Sequence, residues 1–181
     1  MKKILIVVDM QNDFVDGALA NAMAVKIVPL VREKIEAARK DHLLIFTRDT
    51  HDENYMNTEE GKNLPVPHCV RQTKGWQIID ALAELSEEAD LIVDKETFGS
   101  SGLMDFLRKQ EDAAEIELIG LCTDICVISN AMLAKAARPG AHVRVDARCC
   151  AGVTPESHDT ALVAMRSCHI EIVGQGEEPW R

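Results

Sequence analysis

The sequence predicts a three-layer α/β/α domain built around a doubly wound, mainly parallel sheet of six strands. Three observations predict it. Six short runs rich in Ile, Leu and Val are separated by stretches with helical periodicity. Those runs lack the polar alternation of a half-exposed strand, as burial on both faces of a parallel sheet requires. And a chain of 181 residues, at about 150 per domain, makes one domain large enough to fold without disulfide or metal staples. Residues 1–181 are therefore read as a single domain.

The elements follow in order. ILIVVD at 4–9 opens the sheet. Residues 24–40 place Ile27, Leu30, Val31, Ile35 and Ala38 at spacings of three and four, the apolar stripe of a helix. LLIFTR at 43–48 is the second strand. Residues 49–73 break the rhythm, being polar and aperiodic with Pro65 and Pro67; a connection of that length in a compact domain marks function or disorder, and its two histidines favour function. A helix over 75–85 leads to LIVDK at 91–95, a helix over 102–109 to IELIGL at 116–121, a helix over 124–137 to HVRVDA at 142–147, and a helix over 155–167 to HIEIV at 169–173. Such alternation implies right-handed crossovers with helices on both faces. The closing GQGEEPWR reads as a frayed tail.

Composition excludes several classes. Lys plus Arg is 20 against 30 Asp plus Glu, a net charge of -10 with no basic run, so nucleic acid is not an expected partner. An aromatic fraction of 4% is too thin for base-stacking platforms. No apolar run approaches the ~20 residues of a membrane span, and the apolar stretch behind the two N-terminal lysines stops at Asp9 without a cleavage pattern. A cytoplasmic protein is expected, in which Cys69, Cys122, Cys126, Cys149, Cys150 and Cys168 stay mostly reduced.

In such a fold, ligands bind beyond the carboxyl ends of the strands. Asp9 closes the first strand, Asp49 follows the second, Lys95 closes the third and Cys126 begins the helix after the fourth. A cysteine on the first turn of a helix faces free N–H groups and the positive end of the dipole, which favour thiolate, and Lys95 would act in the same direction. Asp9 could take the thiol proton and return it to a leaving amine, making nucleophile, base and electrostatic partner. Singly, each residue has a bland role: a free cysteine is usually a small buried hydrophobe, a strand-end carboxylate a cap, a lysine a solvated cation. Their convergence carries the argument. In the long loop, Asp49 and His51 with the later His68 offer carboxylate and imidazole donors of the kind that suit zinc, iron or manganese.

DMQNDF at 9–14, the lysine of DKETFGSSGL at 94–103 and GLCTDICV at 120–127 together resemble the isochorismatase-like cysteine hydrolases, whose best-known members are nicotinamidases. The resemblance spans nearly the whole chain. It implies a Rossmann-like fold and catalytic Asp9, Lys95 and Cys126. It also implies a cis peptide between Leu121 and Cys122, and an oxyanion hole formed by the backbone N–H groups of Cys122 and Cys126. For the metal it implies Asp49, His51 and His68, with Glu60 as fourth ligand and Glu59 its rival. Phe14 matches one aromatic wall of the substrate pocket, but the tryptophan common in that branch before Pro-x-His-Cys is replaced by Leu64-Pro65-Val66-Pro67. Phe98 is the expected substitute, with Tyr55 and Trp76 as rivals.

The expected reaction is hydrolysis of a small carboxamide through a thioester, nicotinamide leading. A sibling hydrolase of a carbamoyl or ureido compound is the nearest alternative, and a non-catalytic metal or thiol binding module the alternative from another class. A true isochorismatase, which in this resemblance needs neither cysteine nor metal, fits less well. Thr123 and Asp124 read as a helix cap, and Cys149 and Cys150 as packing residues. His42, His142, His158 and His169 show no ligand spacing. The Ala/Met-rich stretch 130–137 is either a homo-oligomer contact or an ordinary core face.

Overall fold

The computed structural model describes residues 2–181. Strands β1 (Lys2–Val8), β2 (His42–Asp49), β3 (Leu91–Lys95), β4 (Ala113–Leu121), β5 (His142–Ala151) and β6 (Glu171–Val173) form one sheet in the order β3-β2-β1-β4-β5-β6. Every neighbouring pair is parallel. The order reverses between β1 and β4, so the crevice beyond their carboxyl ends is the switch point where such sheets bind ligands. The helices are α1 (Asn12–Val15), α2 (Ala22–Ala38), α3 (Glu59–Asn63), α4 (Asp80–Glu87), α5 (Ser101–Arg108), α6 (Ile128–Ala137) and α7 (Pro155–Ser167).

The period-two pleat of β1 divides the core. Ile4, Ile6 and Val8 face α5, α6 and α7 through Leu103, Leu107, Ala131, Ala134, Leu162 and Met165. Leu5 and Val7 face α2 and α4 through Ile27, Val31, Ile35, Leu82 and Leu85. Each such side chain, fully buried, contributes about 1.5–3 kcal/mol, which fixes β1 at the centre and the ends of β1 and β4 side by side. The Ala-rich stretch of α6 is part of this core, with Ala131 and Ala134 fully buried.

Four expectations are corrected. The helix read over 75–85 begins only at Asp80, because the carbonyls of Lys74, Trp76 and Gln77 accept the side-chain amides of Gln11 and Asn12 instead of helical N–H groups. The helix read from residue 124 starts as one turn of π-helix, Thr123–Val127, before α6. Thr123 and Asp124 do not cap it: Asp124 accepts the N–H of Val153, and Thr123 pairs with His158. The C-terminal tail is not frayed, since Trp180 is buried and donates to the carbonyl of Cys150, and Glu178 is buried against His158. Among the described residues no helix is long and apolar enough to cross a membrane.

Candidate active site

The site is built where β1, β2, β3 and β4 end. Asp9 follows β1 directly, with a left-handed φ of 48°, a conformation that a non-glycine residue keeps only where its surroundings over-determine it. Here Thr47 does so from β2. Its carbonyl accepts the Asp9 N–H at 3.2 Å, and its hydroxyl donates to Asp9 Oδ1 at 2.6 Å. On β4, Gly120 has φ +116°, and a Cβ there would lie 2.1 Å from the carbonyl oxygen of Val8. Glycine thus lets β4 close against the end of β1, bringing the turn that carries Cys126 to Asp9. The Leu121–Cys122 peptide is trans, as are all those described, which corrects the cis expectation. Gly120 with its positive φ, followed by extended Cys122 (φ -85°, ψ 145°), makes the bend instead.

Lys95, the last residue of β3, places its Nζ 2.7 Å from Asp9 Oδ2, 3.2 Å from Asp49 Oδ1 and 3.4 Å from the Cys126 sulfur. All four side chains are buried. Burial alone would lower the proton affinity of Lys95, but Asp9, Cys126 and Asp49 reverse that and keep it an ammonium. Burial raises the Asp9 carboxyl, with Lys95 opposing. Burial also pushes the Cys126 thiol well above its ordinary range, with Asp9 adding to the effect and Lys95 only partly offsetting it. The resting cysteine is therefore a thiol, not the thiolate that a helix terminus and a lysine suggest from sequence. Its proton has one destination of raised affinity beside it, the carboxylate of Asp9. Cys122 is half-buried, its thiol pushed up to about 12 by burial, and contributes to the cleft wall.

Asp49 joins this cluster to a second one. Its Oδ2 lies 3.0 Å from His51 Nε2 and 3.4 Å from His68 Nε2, and Glu60 Oε1 approaches the same two nitrogens at 3.5 and 3.6 Å. Donor atoms from Asp49, His51, Glu60 and His68 all lie within 4.8 Å of one another. Glu59 is outside the group, exposed beside Lys62. The His68 Nδ1–H donates to the carbonyl of Val66 at 2.9 Å, which turns Nε2 toward the two carboxylates as the ring atom that could ligate a metal. Burial, the largest single influence on Asp49, raises its proton affinity and opposes ionisation, yet His51, His68 and Lys95 together hold the carboxyl well below the usual range. Two imidazoles and two carboxylates converging on one point fit a divalent cation with nitrogen and oxygen ligands.

The two clusters share one cleft. A cavity of about 50 Å³ is lined by Phe14, Leu19, Asp49, Glu60, Leu64, His68, Phe98, Cys122, Ile125 and Cys126. Phe14 meets the His68 ring edge-on at 5.6 Å, and Phe98, 42% exposed, forms the mouth. Of the rival aromatics, Tyr55 is buried against His51 and His68, and Trp76 lies outside the lining, beneath Arg48 and donating to Thr50. Sequence reading did not single out Gln11, whose side-chain amide both donates to the Asp49 carbonyl and accepts the Asp49 N–H. It also missed Asn130, which donates to the carbonyls of Cys126 and Phe98. Gln11 stands inside DMQNDF; Asn130 carries no such signal.

A family model described as Isochorismatase domain matches residues 3–176. A curated relative, the nicotinamidase/pyrazinamidase of Mycobacterium tuberculosis, is 29% identical, the match covering 94% of this chain and 98% of that protein. The solved pyrazinamidase of Pyrococcus horikoshii in complex with zinc is 34% identical with a TM-score of 0.82, covering 96% of this chain and 99% of the other. The pyrazinamidase/nicotinamidase of Streptococcus mutans has a TM-score of 0.84 at 27% identity, covering 95% and 100%. With the family model matched along nearly its whole length, on a sheet that puts Asp9, Lys95 and Cys126 in contact, this chain belongs to the isochorismatase domain family.

Proposed function

We propose that this chain is an amidohydrolase that converts a small carboxamide, nicotinamide first, to the acid and ammonia, with Cys126 as nucleophile. One observation carries the reading: a single narrow cleft is lined both by Cys126 and by Asp49, Glu60 and His68 of the candidate metal group. The reach of Lys95 to Asp9 and Cys126 supports this reading over a non-catalytic module, which would gain ground if those groups lay apart.

In this reading the sulfur attacks the amide carbon as its proton passes to Asp9 Oδ2. Backbone N–H groups of Cys122 and Cys126 would donate to the developing oxyanion, where a donor contributes about 3–4 kcal/mol. Asp9 then protonates the amide nitrogen, the C–N bond breaks, ammonia leaves and a thioester remains. Water, giving a proton to Asp9, attacks the thioester; the acid departs and the proton returns to sulfur. Lys95 keeps its charge throughout and stabilises the anionic form of either partner. Asp49, His51, Glu60 and His68 would hold a divalent cation, zinc first with iron and manganese as rivals, which when bound supplies a Lewis-acid point for a lone pair of the substrate. The zinc in the Pyrococcus horikoshii structure supports that choice. Phe14 and Phe98 would clasp the substrate ring.

A second reading keeps the chemistry and changes the substrate. Leu19 and Leu64 contribute aliphatic rather than aromatic wall, which suits a non-aromatic carbamoyl or ureido compound. The deciding experiment is ammonia release from a panel of amides, nicotinamide and pyrazinamide included, on metal-analysed protein with Cys126→Ala as control. Cysteine-dependent turnover of nicotinamide supports the first reading and a role in NAD salvage; turnover of another amide alone supports the second. Silence on every amide overturns both.

A further inference from the structure

Behind the nucleophile turn runs a buried polar chain that the reaction above does not use. Thr123 Oγ1 lies 2.8 Å from His158 Nδ1, and His158 Nε2 lies 3.2 Å from Glu178 Oε1. Glu178 in turn pairs with Arg181. The ionised Glu178 can only accept, so the neutral ring carries its proton on Nε2, and Nδ1 accepts from the Thr123 hydroxyl. The order hydroxyl, imidazole, carboxylate is that of a nucleophilic triad, but Thr123 and His158 are fully buried and Glu178 is 4% exposed. The Trp180 ring meets His158 edge-on at 5.0 Å, and a Cβ on Gly152 would lie 2.8 Å from that of His158. No substrate reaches it. Nor do His158, Asp159 and Glu178 make a metal site, because the Arg181 guanidinium already sits on both carboxylates.

What this chain does hold is the first residue of the π turn. The turn's hydrogen bonds reach five residues, from the Val127 N–H to the Cys122 carbonyl and from the Ile128 N–H to the Thr123 carbonyl. Such wide turns are rare and are found mostly where function requires them. This one is anchored at Cys126 itself by Asn130 and at its entry by Thr123. We propose that His158 is a positioning residue for Cys126: it fixes Thr123, and through Glu178 it makes the C-terminal segment part of the frame that aims the sulfur. The proposal rests on the reading of Cys126 as nucleophile.

The test uses Thr123→Val, which keeps the shape and removes the hydroxyl, with Thr123→Ser as the variant that restores it. The expected result is a loss of about 10-fold to 100-fold in kcat in Thr123→Val, with KM and metal content unchanged. The rate at which iodoacetamide alkylates Cys126, followed by mass spectrometry, should fall with it, and both should recover in Thr123→Ser. Wild-type kcat and alkylation rate in Thr123→Val overturn the proposal, as does an equal loss in both variants. Should Thr123→Val not fold, Glu178→Gln is judged by the same two rates, and no change in either overturns it. Turnover that survives in Cys126→Ala would instead overturn the nucleophile reading, so the two failures are distinguishable.

Discussion

Lys95 Nζ stands 2.7 Å from Asp9 Oδ2, and that oxygen receives no aligned hydrogen bond from any described side chain. The contact is one of charge, which leaves the oxygen's lone pair available to a proton. Asp9→Asn removes the acceptor while keeping the shape, so kcat is expected to fall by about 10²–10⁴, and because Lys95 keeps Asp49 as a counter-charge at 3.2 Å the melting temperature should fall less than in a variant without the lysine. Lys95→Met removes the cation between two buried carboxylates, and leaving a buried charge unpaired costs about 3–5 kcal/mol. It should therefore lose both activity and stability. Melting curves beside kcat separate the two, and an active Asp9→Asn protein would sink the proton relay.

Cys126→Ala is expected to abolish turnover while leaving the fold and metal content intact. The thiol is buried against Lys95 at 3.4 Å and beside Asp9, and those two keep each other as partners at 2.7 Å, so its loss strands no charged group. Circular dichroism and metal analysis on the same sample check this.

Metal removal should behave differently. Asp49 and Glu60 bring two carboxylates against two imidazoles, an arrangement that needs a positive charge at its centre. Dialysis against a chelator is expected to abolish turnover and lower the melting temperature, with zinc restoring both. His68→Ala should bind metal at least about tenfold more weakly and retain the Lys95 to Cys126 contact. Unaltered activity after complete metal loss would refute the metal's role.

Gly120→Ala should damage the site without touching a reactive group. The new methyl would meet the Val8 carbonyl oxygen at 2.1 Å on a backbone with φ +116°, and strain of that kind is of order 1–3 kcal/mol before the clash is counted. Relief requires β4 to move from the end of β1, which separates Cys126 from Asp9. Lower kcat and a lower denaturant midpoint are expected together.

Much of this was legible because it depends on local chemistry. The unalternating ILIV run marks β1 as a strand buried on both faces, and the strand-end rule points Asp9, Lys95 and Cys126 at one cleft. Asp49, His51 and His68 could be paired by donor type alone, and Glu60 by resemblance. What stayed hidden depends on long-range burial. The Cys126 thiol is raised because the interior closes over it beside Asp9, whereas sequence shows only the helix terminus and the lysine. The tail looked frayed because GQGEEPWR is polar, yet Trp180 and Glu178 find partners in β5 and α7. Gln11 and Asn130 act on backbone carbonyls far along the chain, and no spacing rule points there.

The same buried histidine gives a pH dependence whose sign can be worked out. Burial lowers the proton affinity of His158, with Glu178 and Asp159 opposing and Arg181 reinforcing it. The native ring thus takes its proton at lower pH than the unfolded chain does, so the unfolded state binds more protons below about pH 6.5. Stability from this group is complete above that value and declines as pH falls. His51 pulls the other way in metal-free protein: burial would lower it, but Asp49 and Glu60 hold its proton up to about 9. The readout is therefore a difference. Between about pH 7.5 and about pH 5.5 the urea midpoint of the wild type should fall more, or rise less, than that of His158→Gln, because only the wild type carries this linkage. Parallel curves would mean that the ring titrates as it does in the unfolded chain, which its burial against Trp180 and Thr123 argues against.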